Sequence, residues 1–334
     1  MKIAVVGAGA IGGLVAGYLK AKDLDVSLVG HNDAVKAIQK EGLEISGVRG
    51  KLSLRIEISD KLKNTPDLAI ICSKTQDIDG VFQDNLPFLK DALVLTTQNG
   101  IQADNFACRY VPKEKIISSI VMFGATFLEP GKIIHNFEGS WIIGKMFVKN
   151  DVQVMEIAGL LNQAFPTIIR EDLIGMKYLK IFVNANNCLA AILGSSIQES
   201  FSDLNISKIS IAIWKEGLGV MQKGAISLVS LPDFPLERLQ KLTALSSEEA
   251  AKIFSGIMSN LSKEPLYGSI LQSIKRKKSS EIDYINGEFV RIAKENHAQA
   301  PLNEKLVAMV HQVEKSGKFF TKEELISSTK DLFN

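Results

Sequence analysis

An α/β amino-terminal half followed by an all-α carboxy-terminal half is the architecture this chain predicts, on three observations. Short β-rich apolar runs alternate with helical patterns up to about Gly144. A glycine-rich turn joins the first of those runs to the first helix. Beyond Pro166 strand signals fade, and long helical periodicities take over. At 334 residues the chain exceeds what one hydrophobic core usually organises, and its 46% apolar content suffices for burial, so two domains are expected, 1–166 and 167–334.

The first element is a strand over Lys2–Val6, followed by Gly7-Ala8-Gly9-Ala10-Ile11-Gly12 and a helical pattern through Tyr18 and Leu19. Gly7 permits a tight turn, Gly9 lets the backbone approach a pyrophosphate, and Gly12 lets helix and strand pack closely; helix N–H groups then face the anion. A lone GxGxxG is weak evidence, but strand, turn and helix here stand in the order the chemistry requires. The alternative is a tight strand-to-helix turn without ligand. Asp25–Val29, Leu68–Cys72 and Ala92–Thr97 follow as buried parallel strands, separated by amphipathic segments such as Asp33–Gln39 and Asp79–Leu89. This is the pattern of an open, Rossmann-like sheet. The stretch Lys132–Lys145 predicts two strands joined by a glycine-containing turn, an antiparallel hairpin, and Val152–Ala164 predicts a helix. The second half predicts helices over Leu173–Leu193, Ile206–Leu228, Ser247–Leu261, Glu281–Asn296 and Asn303–Lys315.

Charge and composition narrow the function. Lysine and arginine number 39 against 37 acidic residues, a net charge of +2 without a long basic block, so neither nucleic acid nor an anionic membrane is expected as partner. The short Lys275-Arg276-Lys277-Lys278 run reads as a solvated helix face or an anion-friendly rim, isolated from any aromatic stacking pattern. Cys72, Cys108 and Cys188 lack CxxC spacing, and His31, His135, His297 and His311 lack HExxH-like spacing. No disulfide frame and no metal site is expected. With no leader-like start and no apolar run of about 20 residues, a cytoplasmic setting is expected. The apolar helices between Ile206 and Leu228 are read as core, with a homodimer contact as the alternative.

Two polar features stand out in the helical half. Lys180, Asn184 and Asn187 are spaced to share one helix face, while Ile181, Phe182, Val183, Leu189, Ala190, Ile192 and Leu193 surround that stripe. Lysine and asparagine usually mark a solvent face, but an apolar surround points instead to a largely buried helix lining a cleft. A lysine desolvated there has a depressed ammonium pKa and can donate a proton near neutrality. Glu281 opens Glu281-Ile282-Asp283-Tyr284-Ile285-Asn286-Gly287 behind Ser279 and Ser280, which by itself reads as a capped helix start.

In combination these residues resemble the ketopantoate reductase (2-dehydropantoate 2-reductase) family over nearly the whole chain. The resemblance is carried by the glycine turn, Lys74-Thr75-Gln76 and Gln98-Asn99-Gly100 after strands, the Gly131–Gly144 stretch, the Lys180-x-x-x-Asn184 helix and the Glu281–Gly287 motif, the most specific of them. It implies reduction of 2-dehydropantoate to pantoate, a step of pantothenate and CoA biosynthesis, with NADPH as cofactor and NAD not excluded. It implies Lys180 as general acid and Glu281 as a carboxylate beside the substrate hydroxyl and the cofactor. Asn99 is implied near nicotinamide and substrate, Lys74 near the cofactor, and Asn184 and Ser269 on the substrate. The pyrophosphate cradle is Gly7, Ala8, Gly9, Ala10, Ile11 and Gly12.

Three positions depart from the family pattern. His31 stands where an arginine commonly meets the NADP 2′-phosphate; Asp33 nearby reads as the N-cap of the next helix. Cys188 replaces an asparagine, whose amide Asn187 could supply, and Ser273 replaces an aspartate. A related reductase of another 2-oxo acid, or a non-catalytic dinucleotide sensor, are the competing readings; a sensor has no evident need for Lys180 and Glu281.

Overall fold

The computed structural model describes residues 1–262 and 264–333. The chain divides into two compact units, Met1–Ile174 and Gly175–Asn334.

In the amino-terminal unit the strands are β1 (Lys2–Val6), β2 (Asp25–Val29), β3 (Leu43–Gly47), β4 (Leu52–Leu54), β5 (Glu57–Ser59), β6 (Leu68–Ile71), β7 (Leu93–Thr96), β8 (Ile116–Val121), β9 (Gly124–Glu129), β10 (Lys132–Phe137), β11 (Trp141–Gly144) and β12 (Thr167–Ile169). The helices are α1 (Ala10–Lys20), α2 (Asn32–Glu41), α3 (Ile78–Leu89), α4 (Gln102–Ala107) and α5 (Val152–Leu161). One sheet of eight strands runs in the order β12-β11-β8-β7-β6-β1-β2-β5, parallel from β8 to β5. Successive residues of a strand point to opposite faces, and both faces of this sheet are covered. Ile3 and Val5 belong to one core that also holds Leu14 of α1, Trp141 and Phe165, whereas Ala4 and Val6 belong to another with Ile78, Phe82 and Ala103. Two-sided burial explains why the central strands read as unbroken apolar runs.

A second, four-stranded sheet, β4-β3-β10-β9, lies on α1. The helix admits it through two glycines one turn apart: a Cβ on Gly13 would stand 2.1 Å from Ile133 Cδ1, and one on Gly17 would stand 2.4 Å from Ile45 Cδ1. Larger side chains there would push the sheet off.

This second sheet corrects the expected hairpin. β10 pairs with β3 and β9, whereas β11 pairs with β8 and β12, so the glycine-containing turn between them carries the chain from one sheet to the other. Gly139 is needed because a Cβ there would lie 2.3 Å from the Met122 carbonyl oxygen, on the neighbouring crossing from β8 to β9. The two crossings are laced together where Met122 N–H donates to Ser140 O at 3.0 Å. The compact amino-terminal unit also runs past the expected boundary at Pro166, because β12 follows it and pairs in parallel with β11, Trp141 opposite Thr167.

The carboxy-terminal unit is helical among its described residues: α6 (Leu173–Ala185), which starts just before the division, then α7 (Asn187–Leu193), α8 (Ile197–Phe201), α9 (Leu204–Lys223), α10 (Leu236–Ala244), α11 (Ser247–Ser259), α12 (Ser269–Lys275), α13 (Asn286–Glu295), α14 (Pro301–Ser316) and α15 (Lys322–Thr329). The single helix expected over Leu173–Leu193 is interrupted at Asn186. There the indole N–H of Trp214, on α9, donates to Phe182 O at 2.8 Å, taking up one of the last four carbonyls of α6. Gly217, a turn further along α9, allows the approach, since its Cβ would fall 2.9–3.0 Å from the Phe182 and Phe289 rings. The helix expected to open at Glu281 begins later: residues Ile282–Tyr284 form a 3₁₀ turn and α13 starts at Asn286.

Candidate active site

The cofactor residues proposed from sequence lie along one edge of the eight-stranded sheet. β7, β6, β1 and β2 are adjacent and parallel, and at their carboxy-terminal ends stand, in that order, Asn99, Lys74, the Gly7–Gly12 turn and His31. Ligands of open α/β sheets bind at this edge, where the strand order reverses direction. The loops are tied to one another by Gln98, whose Nε2 donates to Ile71 O at 2.9 Å and to Ser73 O at 2.8 Å. Thr97 adds an Oγ1 bond to Ile71 O at 2.9 Å. Lys74 and Asn99 are thus carried on a braced pair of loops.

The three glycines have three different surroundings. Gly7 has φ +115° and a Cβ there would lie 2.6 Å from Ser73 N, so both conformation and space demand glycine. A Cβ on Gly12 would be 1.9 Å from Gly7 O, which makes it the point of helix-strand contact. Gly9 has nothing within 4 Å of its would-be Cβ, so it faces open space at the first turn of α1. No side chain caps that turn and no acidic residue stands in it. Free N–H groups without a competing carboxylate are what a pyrophosphate needs, and the cradle formed by Gly7, Ala8, Gly9, Ala10, Ile11 and Gly12 fits the group.

His31 is exposed and is itself the N-cap position of α2, with no side-chain capping bond. Asp33 is therefore not the cap; it lies in the first turn, its Oδ1 accepting from Ala34 N–H at 2.8 Å. The Cys72 thiol is pushed up to about 12 by burial, partly offset by its hydrogen bond with the Thr97 hydroxyl, so it stays protonated. His135 is buried, its Nδ1 3.1 Å from the Tyr18 hydroxyl, a packing role beneath the second sheet.

In the carboxy-terminal unit Lys180, Asn184 and Asn187 are half-buried on a helix pair whose other residues are almost all buried. Desolvation draws the Lys180 ammonium from 10.5 down to about 8, opposed by the negative charge of Asp233. Asp233, in the connection between α9 and α10, escaped sequence reasoning because nothing local marks it as a neighbour of Lys180. Ser269 is exposed at the first position of α12, beside Asn187: a Cβ on the preceding Gly268 would lie 3.0 Å from Asn187 Cβ. Ser273, one turn on, spends its hydroxyl on Ser269 O at 2.9 Å.

Glu281 is half-buried ahead of the 3₁₀ turn, and its motif is pinned to the same helix pair. Asn286 is fully buried; its amide donates to Asn303 Oδ1 at 2.9 Å and also reaches the Cys188 thiol. Cys188 is consequently an internal partner of the motif rather than a group offered to a substrate, and burial pushes its thiol far above the usual range. Asn303 is held in turn by Glu216, which accepts from Asn303 Nδ2 and Nα and from Leu302 N–H at 2.8, 2.8 and 2.9 Å. Two buried polar residues of this region were missed from sequence. Lys177, a turn before Lys180, is 2% exposed, and Asn186 is 3% exposed with neither amide atom hydrogen-bonded. Lys177 lies within α6 and Asn186 at the break between α6 and α7, both in an apolar stretch whose depth the sequence does not mark.

The basic run lies exposed at the end of α12, and one of its members does meet an aromatic ring: Lys275 Nζ is 4.0 Å from the centre of Tyr267. Among the described residues no cluster of histidine, cysteine and carboxylate side chains could hold a metal ion, and no helix is long and apolar enough to cross a membrane.

A parallel sheet ending in a glycine turn that fits a pyrophosphate, in a chain whose helical unit carries a desolvated lysine, is the arrangement expected of a dinucleotide-dependent oxidoreductase. Comparison with known proteins makes the class particular. Residues 3–147 match the family model for ketopantoate reductase PanE/ApbA, and residues 172–314 match that for its C-terminal domain. A 2-dehydropantoate 2-reductase of Pyrococcus horikoshii is 31% identical over 95% of this chain and 99% of its own length. Its counterpart in Pyrococcus abyssi is 29% identical over 91% of this chain and 94% of its own. In fold, the chain matches a D-mandelate dehydrogenase in ternary complex with NADH and anilino(oxo)acetate, with a TM-score of 0.79 at 24% identity, covering 95% of this chain and 99% of that one. The PanE/ApbA family ketopantoate reductase of Ralstonia eutropha JMP134 gives 0.78 at 22% identity, covering 94% and 99%. The chain belongs to the ketopantoate reductase PanE/ApbA family, and it is an NAD(P)-dependent oxidoreductase.

Proposed function

We propose that the protein reduces 2-dehydropantoate to pantoate with NADPH. The observation that carries the reading is Lys180, a half-buried amine on a polar stripe whose ammonium burial draws down to about 8. An acid titrating there is still protonated at neutral pH yet gives up its proton readily.

The cofactor supplies a hydride to the C2 carbonyl carbon when bound. Lys180 stabilises the negative charge that grows on the carbonyl oxygen and transfers its Nζ proton to it, leaving a neutral amine that is reprotonated from solvent. Glu281 accepts a hydrogen bond from the substrate hydroxyl and so orients the carbonyl. Asn184, Asn187 and Ser269 offer donors to the substrate's polar groups. Gly7 through Gly12 would hold the pyrophosphate, Lys74 would approach the cofactor, and Asn99 would stand near the nicotinamide and the substrate. NADPH is preferred over NADH because His31, and no acidic residue, stands at the end of β2 itself, Asp33 lying within the first turn of α2 with Oδ1 engaged by Ala34 N–H.

Lys180→Ala is expected to lower kcat by about 10²- to 10⁴-fold while NADPH affinity, read by fluorescence titration, stays within about twofold. An equal loss of both would end this division of labour. In the wild type, turnover should be flat below neutrality and fall as pH rises through about 8, where Lys180 loses its proton. One set of observations favours a second reading, a related 2-oxo acid. Cys188 is turned inward on Asn286 and the Ser273 hydroxyl is tied to Ser269 O, so two family positions present no polar group of the usual kind. Assays of several 2-oxo acids with NADPH and with NADH decide between the two.

A further inference from the structure

The turn that presents Glu281 is gripped on both sides by one helix. Ser280 N–H, immediately before it, donates to Glu314 Oε1 at 2.7 Å. Asp283, two residues after it, meets His311 Nε2 through Oδ1 at 2.9 Å. The circuit closes between the two α14 residues, three apart on one face, where His311 Nδ1 lies 2.9 Å from Glu314 Oε2. A carboxylate only accepts, and a neutral imidazole donates from one nitrogen alone. With a carboxylate oxygen on each ring nitrogen, the arrangement is complete only when both nitrogens carry protons.

We propose that His311, as an imidazolium, is a positioning residue that locks the Ser280–Asp283 turn onto α14 and thereby holds Glu281 in its working orientation. The consequence for catalysis rests on the reading of Glu281 as the substrate-orienting carboxylate. The charged groups acting on the ring are Asp283, from the turn, and Glu314, from its own helix. Burial works against the charge, but the bonds to Asp283 and Glu314 outweigh it and raise the pKa above 6.5. The sign follows: the lock is complete below 6.5 and is released as pH rises through the raised value.

The test is amide hydrogen exchange over residues 279–286, corrected for intrinsic rate, in the full-length protein without ligands at about pH 6 and about pH 9. Wild type should lose about tenfold of its protection between the two. His311→Gln should be weakly protected at both, and His311→Arg, permanently charged with several donors, should be protected at both. Kinetics near pH 6, below the Lys180 titration, should show KM for the oxo acid raised about tenfold in His311→Gln with kcat within about twofold, and restored by His311→Arg. Protection in His311→Gln equal to wild type at both pH values overturns the lock. Lost protection with unchanged KM upholds the lock and instead removes Glu281 from the substrate. Because wild type alone reports the pH effect, a variant that fails to fold does not blunt the result.

Discussion

Gly9 and Gly12, three residues apart in one turn, answer to different constraints. An added methyl on Gly12 would sit 1.9 Å from a backbone oxygen that cannot move without shifting β1, whereas one on Gly9 would enter empty space. Gly12→Ala should therefore cost about 1–3 kcal/mol in chemical denaturation. Gly9→Ala should leave stability within about 0.5 kcal/mol but weaken NADPH binding, because the methyl occupies the approach of the pyrophosphate. Unaltered NADPH affinity in Gly9→Ala would remove the turn from the cofactor site. The close packing at Gly7 and Gly12 was legible in sequence because it follows from a glycine's place between strand and helix. Asp233, His311 and Glu314 were not legible: each acts on a residue dozens of positions away, and nothing in its own neighbourhood marks it.

Among elements, α14 takes polar partners from α9, from α13 and from the turn that carries Glu281. It begins with Pro301, which fits a first helical turn, but no side chain of its own caps it. Glu216 does so from α9, accepting from Leu302 N–H and Asn303 N–H. Removing that carboxylate in Glu216→Ala should cost about 1–3 kcal/mol and release Asn303, and through it Asn286 of the Glu281 motif. Thermal unfolding of Glu216→Ala beside Glu216→Gln checks this, and an unshifted midpoint in both would contradict it. Element types were largely readable, since apolar runs and helical periods report burial directly. The second sheet was not: β3 is a five-residue alternation ending in Gly47, and β9 has no fully buried residue, so neither stands out as a run. For the same reason β10 and β11, adjacent in sequence with a glycine between, read as a hairpin although they serve different sheets.

At the scale of the whole molecule, the proposed roles divide between the units. The cofactor residues Gly7–Gly12, His31, Lys74 and Asn99 belong to Met1–Ile174, and Lys180, Asn184, Asn187, Ser269 and Glu281 belong to Gly175–Asn334. A ligand that binds only the folded form stabilises by mass action, about 2.7 kcal/mol at a hundredfold excess over Kd. NADPH should accordingly slow exchange at the glycine turn and at the loops after β6 and β7. An equal effect of ATP and NADPH would show that the edge recognises phosphate alone.

The glycines of α1 bear on how the chain assembles. Gly12, Gly13 and Gly17 sit within its eleven residues, each weakening an isolated helix by about 1 kcal/mol relative to alanine. On its own such a segment nucleates poorly, and it gains its stability from strands that must already be in place on either side. During folding, then, α1 should be a late arrival, with amide protection over Ala10–Lys20 lagging behind that of β1 and β6 in pulse labelling. A newborn chain would acquire its capacity to grip a nucleotide only after its sheets had docked.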